Sequence, residues 1–84
     1  MNILKIEKKN VLNVQFENNF LVDVFETDEK TIEFWLYHKD YGIKSLMFGV
    51  LYEEKYNEKY FLDLIINEID IHIDFYKKRY MEEV

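Results

Sequence analysis

The apolar period of this chain changes near residue 53, and that change constrains the fold more than any other feature. Before it, apolar and polar residues alternate in short runs, the period of half-buried strands. After it, no Gly or Pro interrupts the chain. Apolar residues there recur at three- and four-residue intervals, the period of a helix.

Five runs read as strands. Asn2–Lys8 comes first. Val11–Glu17 follows with Leu12, Val14 and Phe16 on one face, then Phe20–Glu26 with Phe20, Val22 and Val24. Thr31–His38 turns Ile32, Phe34 and Leu36 the same way, and unbroken alternation does so for Leu46, Phe48 and Val50 in Ser45–Tyr52. The connections are short and polar, with Asn10, Asn18, Asn19 and Gly42 suited to positive φ. Short strands joined by short turns predict an antiparallel meander. The expected fold is therefore α+β over a single domain, residues 1–84. Four to five strands fill 1–52, and one long helix over 53–84 packs on one face.

The segment EIDIHIDFY, Glu68–Tyr76, is ambiguous alone. As a strand it would align Asp70, His72 and Asp74, and carboxylate and imidazole are metal ligands. As a helix it scatters them, leaving Asp63, Asn67, Asp70 and Asp74 on a solvated stripe. The wider pattern favours the helix. Leu62, Ile65, Ile66, Ile69, Ile73, Tyr76 and Tyr80 share one face, Glu53, Glu54 and Glu58 stand near its start, and Lys77, Lys78 and Arg79 near its end. No metal or other cofactor is expected. Such a helix reaches about 37 Å at 1.5 Å per residue, against about 20 Å for a six-residue strand. Its C-terminal half is expected to overhang the sheet, bend or meet another molecule.

Composition excludes several function classes. With 11 Lys and Arg against 17 Asp and Glu, the net charge is −6. A nucleic-acid binder ordinarily carries a basic surface, so direct nucleic-acid binding is not expected, nor is binding to an anionic membrane. No apolar run approaches the roughly 20 residues that span a bilayer. The start lacks the features of a signal peptide, and a cytoplasmic location is the expectation. The chain has no Cys, a single Ser, and two His far apart in sequence. It has no glycine-rich phosphate loop. An enzyme is not expected.

What remains is binding. The alternation that turns Ile32, Phe34 and Leu36 inward turns Glu33, Trp35 and Tyr37 outward. Leu21, Asp23 and Phe25, and then Met47 and Leu51, follow suit. The outer face of a one-layer sheet should be mostly polar, yet this one is aromatic and apolar. Either the sheet curls into a small barrel or another protein covers the face. Asp23, Phe25, Glu26, Glu33, Trp35 and Tyr37 are the candidate partner-binding residues. A second helical stripe, Phe61, Leu64, Ile71 and Phe75, is the candidate for self-association.

Residues 17–33 and 53–74 are both acidic blocks, and acidic surfaces steer basic partners. In size, charge and character the chain is similar to phage-encoded anti-defence proteins, anti-CRISPR proteins among them, and to toxin-neutralising immunity proteins. The similarity carries no residues with it. The expected function is an acidic protein-binding module. It would inhibit a larger, basic, nucleic-acid-handling protein by occupying its surface. The alternative is a self-assembling homodimer or higher oligomer of structural or regulatory role.

Overall fold

The computed structural model describes residues 1–53 and 56–81. Five strands precede one helix: β1 Ile3–Glu7, β2 Leu12–Phe16, β3 Phe20–Glu26, β4 Thr31–His38, β5 Lys44–Leu51 and α1 Glu58–Tyr80. Every strand pairs antiparallel with the next, in the order β1-β2-β3-β4-β5. This is the α+β meander the alternation predicts. β1 and β5 are opposite edges, so the sheet is open and is not a barrel. Among the described residues no helix is long and apolar enough to cross a membrane.

Turn chemistry follows the sequence. Asn10, Asn18, Asn19 and Gly42 all adopt positive φ. So does Lys30, at φ 59°. Lys30 closes the β3–β4 hairpin, where its N–H donates to the Thr27 carbonyl and its own carbonyl accepts from Tyr52 N–H.

α1 begins later than residue 53. The Asn57 side chain caps it, accepting from the Tyr60 N–H at 3.0 Å. Tyr52 N–H still bonds Lys30 in the sheet, so the chain must leave the sheet before it can coil. Residues 54–55 and 82–84, included in the expected helix, lie outside the described residues. Glu68–Tyr76 is helical throughout.

The core lies between the sheet and α1. Leu12, Val14, Phe16, Phe20, Val22, Val24, Ile32, Phe34 and Leu36 are all buried, as alternation requires. From the helix come Phe61, Ile65, Ile69, Ile73 and Tyr76. This stripe is rotated from the expected one. Phe61 turns inward against the Phe34 and Tyr56 rings, Ile66 is exposed, and Leu62 and Tyr80 are half-buried.

Nor does the C-terminal half of α1 overhang. β3–β5 are seven or eight residues long, which is about 23–27 Å of strand. The β4–β5 connection extends the platform further. There the buried Tyr76 hydroxyl donates to the Ile43 carbonyl at 2.6 Å and lies 3.4 Å from the His38 N–H. Tyr80 and Met81 still pack on the core.

One strand departs from alternation. Phe34 pairs with Phe48, but Trp35 pairs with Leu46, leaving Met47 as an extra residue in a bulge. Met47 is therefore buried at 8 % exposure while Leu46 is 48 % exposed. This reverses the expectation of Leu46 inward and Met47 outward. Phe48 and Val50 still face the core.

Candidate functional site

Because β2–β4 alternate strictly, their outward residues form rows across the sheet. In one row Asn13, Asp23, Trp35 and Leu46 are register partners. In the next stand Gln15, Leu21, Tyr37 and Lys44, and Phe25 pairs with Glu33. Among the described residues no element crosses this face. Leu21, Phe25, Trp35 and Tyr37 are half-buried, while Leu46 and Leu51 are more exposed.

The polar groups on this face are organised. Asp23 accepts from both Asn13 Nδ2 and Lys44 Nζ, the latter at 2.7 Å. Asn13 Nδ2 also donates to the Tyr37 hydroxyl at 3.3 Å, and the Lys44 ammonium sits 4.8 Å from the Tyr37 ring centre. The hydrogen bond to Asp23 holds the Lys44 pKa above its ordinary value. The Trp35 indole N–H donates to Glu33 Oε1 at 3.2 Å, which fixes the ring. A shallow hollow of 470 Å³ opens beside this network, lined by Asn10, Val11, Asp23, Phe25, Glu26 and Lys44.

The six residues expected to bind a partner thus lie on or beside one surface. Their carboxylates are not equivalent. Asp23 is matched by Lys44, and Glu33 is tied to Trp35, whereas Glu26 is exposed at the end of β3. Beyond it the β3–β4 turn adds the exposed Asp28 and Glu29. Among the described residues, the second acidic block comes to this end at Glu53, next to Tyr52. Asp63, Glu68, Asp70 and Asp74 lie on α1, on the opposite side of the sheet. The two blocks therefore do not form one patch.

Sequence reasoning missed Asn13 and Lys44. A signal for Lys44 existed: unbroken alternation through β5 would turn this lysine toward the core side, an unfavourable place for an unpaired charge. The bulge at Met47 turns it outward instead, to Asp23.

On α1, the stripe considered for self-association divides. Phe61 belongs to the core, so it is not a surface residue. Leu64 is half-buried, and Ile71 and Phe75 are exposed. The helix separates Asp70 and Asp74 on its exposed side from His72, whose ring lies 6.4 Å from that of Phe48. Among the described residues no three His, Asp or Glu side chains gather as a metal site would need. The other histidine, His38, is buried. Its Nδ1 accepts from the Asp40 N–H, and its ring packs edge-on against Phe20 and Tyr41. Comparison with known protein families, with curated proteins and with solved structures finds no match for this chain.

Proposed function

We propose that the chain is a small acidic binding module of the cytoplasm, and that the outer sheet face is its contact surface. The observation that supports this reading is the uncovered aromatic face. Leu21, Phe25, Trp35 and Tyr37 lie together on the sheet, and among the described residues no element lies above them. Aromatic side chains ordered before binding lose little entropy on contact and dominate interface energetics. Glu26, Asp28 and Glu29 at one rim, with a net charge of −6, favour a basic partner. The commonest extended basic surfaces belong to proteins that hold nucleic acid. Carboxylates set along such a surface stand where phosphates would, so occupancy by this chain inhibits by exclusion.

The test is capture from host lysate with the tagged chain, at low and high salt, beside a Phe25→Ala/Trp35→Ala variant. The proposal expects a basic nucleic-acid-handling protein, displaced by added DNA or RNA, weakened by salt and lost with the variant. Equal capture by the variant would remove the outer face from the account. Recovery of the chain alone would remove the partner.

A further inference from the structure

The two edges of the sheet are built differently. β1 carries Lys5 and Glu7, is followed by Lys8 and Lys9, and is broken by an irregularity at Leu4. Charges of this kind keep an edge from pairing with another chain, whereas a bulge interrupts both edges. β5 has one charge, Lys44 at its first residue, and Asp23 draws that ammonium onto the outer face. From Ser45 to Leu51 there is none, and beyond the bulge at Met47 the strand is regular.

Exposed apolar side chains stand at both edges, Leu4 and Ile6 on β1 among them, but only beside β5 do they adjoin an uncharged run of strand. Ile43, Leu46, Leu51 and Tyr52 lie on or beside β5. Ile71 and Phe75, 56 % and 63 % exposed, lie on the flank of α1 that overlooks it. A groove of 320 Å³ runs between that flank and the strand, lined by Met47, Phe48, Val50, Leu64, Glu68 and His72.

We infer that β5 is the interface of a two-fold homodimer, in which the two β5 edges pair antiparallel into one ten-stranded sheet and the α1 flanks bearing Leu64, Ile71 and Phe75 close over the seam. Charge decides the occupant. On the flank beside β5, α1 is acidic at Glu68 and basic at Lys78 and Arg79 in its last turn, whereas Asp70, paired with the Met1 amino group, faces the β1 side. A two-fold axis normal to the sheet sets the helices antiparallel, so Lys78 and Arg79 of each copy approach Glu68 of the other. The same axis sends the two Lys44 side chains to opposite ends of the seam. Isologous pairing of one patch with itself is the commonest route to a dimer. The outer sheet face stays open in this assembly. Self-association and partner binding can therefore fail independently.

Sedimentation equilibrium of the full chain tests the inference. Wild type is expected at twice the chain mass at tens of micromolar, dissociating on dilution. Ile71→Glu/Phe75→Glu, at two exposed positions, is expected to be monomeric with an unchanged circular dichroism spectrum. Ile66→Glu, equally exposed on the other flank, stays dimeric. Lys78→Glu/Arg79→Glu weakens the dimer by about tenfold or more, the loss of a close charge pair. A wild-type chain of monomer mass at every concentration, or a dimer that survives Ile71→Glu/Phe75→Glu, would overturn the inference.

Discussion

Lys30 occupies a backbone conformation that suits glycine. At φ 59° its Cβ is crowded, yet it closes the hairpin that receives Tyr52. Lys30→Gly is expected to stabilise the fold by about 0.5–1 kcal/mol, read as a raised midpoint in urea. Met47 and Leu46 form a sharper pair. Met47→Ala should cost about 2–3 kcal/mol, as truncation of a buried side chain does, while Leu46→Ala changes stability by less than about 0.5 kcal/mol. Unbroken alternation would predict the reverse order. The Tyr76 hydroxyl satisfies the Ile43 carbonyl inside the structure, so Tyr76→Phe is expected to cost about 1–2 kcal/mol. Burial raises the Tyr76 pKa above its ordinary value of 10.0. A tyrosine whose folded pKa is raised stabilises the fold fully below the unfolded value and loses that contribution as pH rises through the folded one. Stability should therefore fall above about pH 10, and less steeply in Tyr76→Phe. At this scale the strand faces were legible, because the period of two in β2–β4 is unbroken. The bulge was not, because Ser45–Leu51 alternates acceptably in either register, and only the placement of Lys44 distinguishes the two.

Among the elements, α1 carries the most independent signals. Its apolar period, its acidic start and its basic end agree, which is why the strand-like alternation of Ile69, Ile71, Ile73 and Phe75 did not prevail. Ile71 and Phe75 are the residues the helix leaves outside. The start of α1 was harder to read, since residues 53–57 contain nothing that breaks a helix. It is set by Asn57, whose side chain caps the Tyr60 N–H. Asn57→Ala should cost about 1 kcal/mol, whereas Asn67→Ala, on the exposed side of the same helix, should stabilise slightly. Thermal melts of the two variants, compared with wild type, separate cap from propensity. The rotation of the buried stripe toward Phe61 was illegible for another reason. Leu62 and Phe61 are equally apolar, and the rings of Phe34 and Tyr56 favour Phe61.

For the whole molecule, an open sheet carries α1 on one face, and among the described residues no element covers the other, where Phe25, Trp35 and Tyr37 stand with Asp23 and Glu33. The gathering was legible from alternation alone. The bridging of Asp23 by Asn13 and Lys44 was not, since it depends on cross-strand register and on the bulge. Trp35 is the single tryptophan and stands at the centre of the face. Fluorotryptophan placed there reports on the face directly. Fluorine NMR of the free chain and of its complex with the captured partner is the decisive measurement. The free chain is expected to show a solvent-sensitive resonance that shifts and loses its solvent sensitivity in the complex. A complex that forms while the Trp35 resonance keeps both its position and its solvent sensitivity would contradict the assignment of the outer face as the binding surface.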